Sequence, residues 1–480
     1  MAPQTHLSRI YRPDFGLLTD LYQLTMASGY WQRGLHGRRA VFHLFYRRAP
    51  FGGRYAIAAG LELAVDLIRR LAFSVDDIQY LGALTGSDGR PLFSESFLNY
   101  LQRLRFTGDV YAVPEGTIVL PHEPILRIEA PLPEAQLIET GLLTLINFST
   151  LIATKAARVA DAAGSDEVFE FGLRRAQGID GALTASRSAY LGGCHATSNV
   201  WAGRYYGIPV RGTHAHAWVM TFDDERAAFR EYAAAMPNNC VFLVDTYDTL
   251  EGVANAIEIG RELRAQGRPW AGIRLDSGDL AALSIAARRL LDEAGFPEVR
   301  IIASDDLDEQ RIAELKAAGA PIAVWGVGTR LVTGHNQSAL GGVYKLAALE
   351  RQEGGWSYRV KKSEQAAKTS IPGILQTRRY LDAQGHPRGH AIFDQLAGFE
   401  SGSGLTDWAG AAGELPPAES FCDLLQPIIK NGELVYNFPS LNEARAYCRQ
   451  ERERWAQVDW AVFRSGLESR LYELRQQLTQ

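Results

Sequence analysis

The chain has 480 residues, a formal net charge of −5, 46% hydrophobic residues and 22% charged ones. This is the composition of a globular protein, with length for several domains or for one barrel with attachments. The weak acidity and the lack of long basic blocks argue against a nucleic-acid surface. No uninterrupted apolar run approaches the roughly 18 residues that span a bilayer.

Taken in chain order, MAPQTHLSRIYRPD has no apolar signal core, so secretion is not expected. LLTDLYQLTMASGYW reads as a helix, with Thr19 as its cap. RAVFHLFYRRAP and GDVYAVPEGTIVLPHEPILRIEAP read as strands broken by proline and glycine. These elements make residues 1–150 an α+β region. From about residue 165 the pattern becomes regular. EVFEFG, IPVRG, CVFLVD, AGIRLD, VRIIAS and PIAVWG alternate with helical stretches such as TLEGVANAIEIGRELRAQG. A repeat of roughly 30 residues suits βα units on a parallel sheet. The expected architecture for residues 151–340 is an α/β barrel of the (β/α)₈ kind, irregular in detail, with a doubly wound open sheet as the alternative. No GxGxxG follows an early strand, which counts against a dinucleotide site. Residues 341–480 return to strands (GGVYKLAAL, WSYRVKKS, RRYLDAQGHPRGHAIFD), pass through the loop-like SGSGLTDWAGAAGELPPAES, and end in helices with a capping box from Ser440 to Glu443. The four cysteines, at 194, 240, 422 and 448, form no CxxC pair; this fits a reducing cytoplasm better than a disulfide framework.

In a parallel barrel, chemistry collects where strands end. The strand ends here are polar and complementary. They supply Glu170, Arg174 and Arg175; Thr213, His214 and His216; Asp245 and Asp248; Arg274, Asp276, Ser277 and Asp279; Ser304, Asp305 and Asp306; and Gly326, Gly328, Thr329 and Arg330. Arginines, a Gly-Thr turn opening a helix and several carboxylates together suit a phosphorylated sugar with Mg²⁺. The pair His214 and His216 admits a second interpretation. On a strand, residues two apart share a face, so an HxH zinc hydrolase competes, although the later strand ends offer aspartates and no further histidine. A phosphate-ligand sensor that kept the pocket without catalysis is a third possibility. A packed structural role for His214 and a helix-capping role for Asn199 each carry about as much weight as a functional one.

Several strings in this order resemble the nicotinate phosphoribosyltransferase family: LLTDLYQLTM, YRRAPFGG, FEFGLRRAQGIDGALTAS, YLGGCHATSNVWAG, GTHAHAWVM, LVDTYDT, IRLDSGDL, SDDLDE, GVGTRLVT, LGGVYKL, KTSIPG and PSLNEAR. The resemblance implies an irregular TIM-like barrel of the type II phosphoribosyltransferases, with a second α+β domain built from the N- and C-terminal segments. It implies ATP-coupled transfer of phosphoribosyl from 5-phosphoribosyl 1-diphosphate to nicotinate in NAD biosynthesis, Mg²⁺ as cofactor, a homodimer and a cytoplasmic location. In the motif Gly-Thr-x-Ala-His the last residue, His216, is the one phosphorylated by ATP, and His214 takes the variable place. Where the family usually has serine next, this chain has Ala217. The resemblance also assigns Tyr22 to stacking on the pyridine ring, Thr213 and Arg274 to nicotinate, and Thr329 to the 5-phosphate, with Gly326 and Gly328 making room. It assigns Arg174 or Arg175 to phosphates, Asp276 and Asp279 to ribose hydroxyls or Mg²⁺, and Ser277 to substrate binding, with Lys368 as a further contact. Asn199 stands where a related nicotinamide enzyme is expected to carry an aspartate.

Overall fold

The computed structural model describes residues 14–364, 368–400, 403–408, 410–415 and 417–480. It divides into two compact units, one formed by the chain up to Thr150 together with Ala339–Gln480, the other by Leu151–Ser338.

Among the described residues the first unit holds two large, mainly antiparallel sheets and a small two-stranded one, Ala56–Ile57 with Ile118–Val119. In its seven-stranded sheet, Arg39–Tyr46 lies between Gly342–Glu350 and Leu126–Pro131. Arg39–Tyr46 is buried at seven of its eight positions, which is why RAVFHLFY lacks the alternation of a half-exposed strand. His43 sits within it, and burial holds its imidazole well below the usual range. There the ring accepts the Leu375 N–H at 3.2 Å. The second sheet pairs Leu375–Leu381 with Pro387–Asp394. Two short strands, Leu405–Thr406 and Ala412–Gly413, fall in the stretch expected to be a loop; residues 401, 402, 409 and 416 of that stretch lie outside the described residues. The first helix, Leu21–Gln32, is capped by Asp20 rather than Thr19, because Asp20 completes a capping box with Gln23. The Ser440–Glu443 box caps Leu441–Ala456.

The second unit is built on six parallel strands: β1 (Glu167–Glu170), β2 (Ala196–Thr197), β3 (Val241–Leu243), β4 (Gly272–Leu275), β5 (Arg300–Ala303) and β6 (Val324–Val327). Their order is β2-β1-β6-β5-β4-β3. Helices follow the strands: α1 (Gly178–Gly192) after β1, α2 (Val200–Tyr206), α3 (His216–Val219) and α4 (Glu225–Ala235) after β2, and α5 (Thr249–Ala265) after β3. They continue with α6 (Leu280–Glu293), α7 (Glu309–Ala317) and α8 (Thr329–Val332) after β4, β5 and β6. Each crossover buries apolar residues such as Phe169, Val241, Ile302 and Val324 in the core.

The strand pairing does not close. The expected closed barrel is corrected here to an open six-stranded parallel sheet, with β2 and β3 at its edges. IPVRG contributes only a single bridge, Thr197 to Val210, since Pro209 has no N–H to extend a ladder. Beyond that bridge, Asn239 Nδ2 donates to Gly212 O at 2.9 Å and Leu243 N donates to His214 Nε2 at 3.2 Å. Side chains thus span the gap where a ladder is absent.

One helix, Glu139–Ala163, is long and apolar enough to cross a membrane by length and composition, among the described residues; 67% of its most apolar window is buried inside the protein. Its Lys155 pairs with Glu309 at 2.6 Å, as a helix packed in a folded core requires of a buried charge.

Candidate active site

A cavity of about 540 Å³ opens at the C-terminal ends of these strands, lined only by residues of the second unit. Its walls come from every strand end that the sequence marked except the one after β3.

Three neighbouring strand ends are locked together around Asp276. The Asp245 carboxylate, after β3, accepts the Asp276 N–H at 2.8 Å and the Ser277 hydroxyl at 2.7 Å. Ser304, after β5, donates to Asp276 Oδ1 at 2.5 Å. The other oxygen, Oδ2, lies 3.7 Å from His216 Nε2. His216 Nδ1 lies 3.2 Å from Thr246 Oγ1. Asp276 is therefore fixed by its neighbours while one edge still faces the imidazole.

Arg274 lines the cavity one residue earlier. Its Nη1 donates to Thr213 Oγ1 at 2.8 Å, and its buried Nε has no partner among the described residues. Burial lowers its pKa, opposed by Asp276 and Asp245. The guanidinium thus keeps donor capacity for an anionic ligand in a place where water screens poorly. Arg174 and Arg175 enter from the 3-10 turn Leu173–Arg175 after β1. That turn is anchored by buried Glu170, which accepts from Gly172 N, from Ser186 Oγ at 2.8 Å and from Thr197 Oγ1 at 2.6 Å. After β6, Gly326, Gly328 and Thr329 form the wall where α8 begins. A side chain at Gly326 would meet the Phe171 ring at 2.7 Å, so glycine is what lets strand and ring approach.

Other expected residues are engaged elsewhere. Asp279 caps α6, accepting from Ala281 N at 3.1 Å and Ala282 N at 3.2 Å, and does not line the cavity. Asn199 caps α2, accepting from Ala202 N at 3.1 Å and donating to Ser186 Oγ at 3.2 Å. It is the preceding residue, Ser198, that reaches the cavity. Arg330 is committed to Asp306 at 2.9 Å and Asp308 at 2.8 Å. Ser277 spends its hydroxyl on Asp245. Tyr22 and Lys368 belong to the first unit, both exposed. Phe171 and Ser198 are lining residues absent from the expected set; Asp305 and Asp306, marked as a strand end, do line the cavity, and burial raises the pKa of Asp305, helped by Asp276 and Asp306.

The two histidines do not share a face. His214 turns into the core against Tyr232, 4.6 Å between ring centres, and its Nε2 is an acceptor from Leu243 N. His216 begins α3 and stays partly exposed. Among the described residues, no group of three or more His, Cys, Asp or Glu could hold a metal ion. This removes the basis for an HxH zinc centre. It also means that a Mg²⁺ ion fits only in the manner usual for that cation, held by one or two carboxylates such as Asp276 and Asp305 plus the phosphates of a substrate.

An open parallel sheet with arginines, carboxylates and glycines around one polar cavity at its strand ends is the kind of site at which α/β enzymes bind charged ligands. Two family models match the chain: the nicotinate phosphoribosyltransferase (NAPRTase) N-terminal domain over residues 17–147 and the nicotinate phosphoribosyltransferase (NAPRTase) family over 167–383. The nicotinate phosphoribosyltransferase of Bacillus subtilis (strain 168) is 44% identical over 442 residues, covering 90% of this chain and 87% of the relative. That of Homo sapiens is 36% identical over 501 residues, covering 91% of each. The crystal structure of human nicotinic acid phosphoribosyltransferase superposes with a TM-score of 0.82 at 32% identity, over 96% of this chain and 99% of that one. A nicotinate-nucleotide pyrophosphorylase from Pyrococcus furiosus shares the fold, with a TM-score of 0.70 at 23% identity over 92% and 96% of the two chains. The chain belongs to the nicotinate phosphoribosyltransferase family.

Proposed function

We propose that this chain transfers phosphoribosyl from 5-phosphoribosyl 1-diphosphate to nicotinate, forming nicotinate mononucleotide and pyrophosphate for NAD biosynthesis, and couples the transfer to ATP hydrolysis. The observation that carries this is the single cavity where Arg274, with an unpartnered buried nitrogen, faces the same space as Arg174, Arg175 and Thr329. One cation suits the pyridine carboxylate and the others suit phosphates. In the reaction the pyridine nitrogen forms a bond to ribose C1 as the C1–O bond breaks, and the electron pair leaves with pyrophosphate. Arg274 and Thr213 orient the carboxylate, which places the ring for attack. Phe171, the one phenyl side chain among the described residues lining the cavity, offers a face to the ring. Gly326, Gly328 and Thr329 receive the 5-phosphate. Asp276 serves the ribose hydroxyls or the metal. When bound, Mg²⁺ supplies charge neutralisation to the departing pyrophosphate. Asp279 acts through α6, which it caps. His216 accepts the phosphoryl group of ATP. Residues 151–340 form the catalytic domain, and 1–150 with 341–480 the accompanying one. We place the enzyme in the cytoplasm as a homodimer, consistent with exposed apolar side chains on α2 (Val200, Trp201 and Tyr205) and on the first helix (Leu21 and Tyr22).

A pyrophosphate-release assay tests the proposal. Nicotinate should support release, ATP should enhance it, and nicotinamide should be a poor substitute. Ligand binding with no pyrophosphate would favour a sensor instead.

A further inference from the structure

We infer that Thr246 is a positioning residue for His216, supplying from the far side of the ring the hydroxyl that Ala217 lacks. This rests on the proposal that His216 is the phosphoryl acceptor. The imidazole has two polar neighbours on opposite edges: Thr246 Oγ1, 3.2 Å from Nδ1, and Asp276 Oδ2, 3.7 Å from Nε2. Its own short helix, α3, starts at His216 and has no side-chain cap. Two contacts on opposite edges fix both the tilt and the rotation of a ring that is otherwise held only through its Cβ.

Both neighbours are themselves held. Thr246 directly follows Asp245, whose carboxylate is tied to Asp276 N and Ser277 Oγ. Asp276 is tied again by Ser304 at 2.5 Å. The hydroxyl and the carboxylate therefore belong to one hydrogen-bonded frame across the ends of β3, β4 and β5. In the transfer, the lone pair of a ring nitrogen forms a bond to the γ-phosphorus of ATP. The bond from that phosphorus to the β,γ-bridging oxygen breaks, and ADP leaves with the electron pair. A ring held in place does not have to be reoriented for each event. In a chain with serine after the histidine, that hydroxyl would be available from the adjacent position; here a hydroxyl within hydrogen-bond distance of the ring comes from 30 residues further along.

The test compares the full-length protein with Thr246→Ser, Thr246→Val and Thr246→Ala, using γ-labelled ATP to follow label on the protein and pyrophosphate release without ATP as the second readout. Thr246→Val, which keeps the shape and loses the hydroxyl, should slow labelling by about tenfold, the scale of one lost hydrogen bond. Thr246→Ser should restore labelling to within about twofold. The loss in labelling should exceed any loss in ATP-independent release. Wild-type labelling in Thr246→Val overturns the assignment, as does an equal fall in both readouts with Thr246→Ser no better than Thr246→Val. Absence of label on the wild-type protein overturns the phosphoryl-acceptor role of His216 and this assignment with it.

Discussion

His214 Nε2 accepts the main-chain N–H of Leu243 at 3.2 Å, so an imidazole stands where the edge strand β3 would otherwise need a neighbour. The ring packs on Tyr232, and burial, partly offset by the Ala215 carbonyl, takes its pKa down to about 4. An acceptor nitrogen must be unprotonated, so the contact exists only with a neutral ring.

A pH effect on stability follows. The unfolded histidine binds its proton near pH 6.5 and the folded one only near pH 4. Between these values the unfolded state holds more protons, so stability is full above the window and falls as pH drops through it, by on the order of 3 kcal/mol at the limit. Urea titrations at about pH 7.5 and about pH 4.5 on the wild type and His214→Gln should show a smaller pH dependence in the variant. An identical dependence would assign the effect to other groups.

Ser198 and Asn199 separate ligand selection from folding. Asn199→Asp places a charge in a buried cap beside Ser186, within the network of Glu170, and should lower stability by ~1–3 kcal/mol. Ser198→Asp puts a carboxylate on the cavity wall, so it should raise the KM for nicotinate with little change in melting temperature. Kinetics and thermal melts of the two variants, compared side by side, check the division; nicotinate kinetics disturbed only in Asn199→Asp would reverse it.

Arg274→Ala removes the charged partner proposed for the nicotinate carboxylate. A charge-assisted hydrogen bond of ~1.5–3 kcal/mol corresponds to a rise in KM of roughly 10- to 150-fold. Turnover of nicotinamide, which lacks the charge, should change less. Equal losses with both substrates would mean that Arg274 acts on the fold or on the phosphates.

Gly326→Ala tests the close approach at β6. The new Cβ would sit 2.7 Å from the Phe171 ring and 3.1 Å from Ser304 Cβ. Overpacking of this kind costs ~1–3 kcal/mol, and displacement of Phe171 should reduce affinity for both substrates. Calorimetry and steady-state kinetics measure the two effects; a variant with normal stability and normal KM values would show that the wall is pliable there.

The parallel strands were legible because five of the six runs, such as CVFLVD and AGIRLD, are apolar, β-branched and bounded by turns. Their polar ends then pointed to Arg274 and Asp276. IPVRG looked equally strand-like, yet only Val210 forms a bridge, and two-residue β2 was too short to register as a period. Closure of a sheet depends on long-range pairing, which local pattern does not encode. The Ser198 and Asn199 pair shows the same limit at the scale of one residue. Both follow β2, both are polar, and only the turn into α2 decides which one becomes the cap. The assignment of Asp279 failed to anticipate its cap for a similar reason, since an aspartate after a strand serves a helix as readily as a ligand.

The pairing of Arg39–Tyr46 with Gly342–Glu350 has a consequence for biosynthesis. A ribosome working at about 5–20 residues per second needs roughly 15–60 s to make the intervening chain. The second unit, Leu151–Ser338, is contiguous and completes all its strand pairs from within itself. The first unit, by contrast, waits with one edge of an almost wholly buried strand unpaired until Gly342–Glu350 is made. During translation that nascent edge is a candidate for chaperone binding, and shortening the exposure, for example by circular permutation that joins the two segments, should raise the soluble yield.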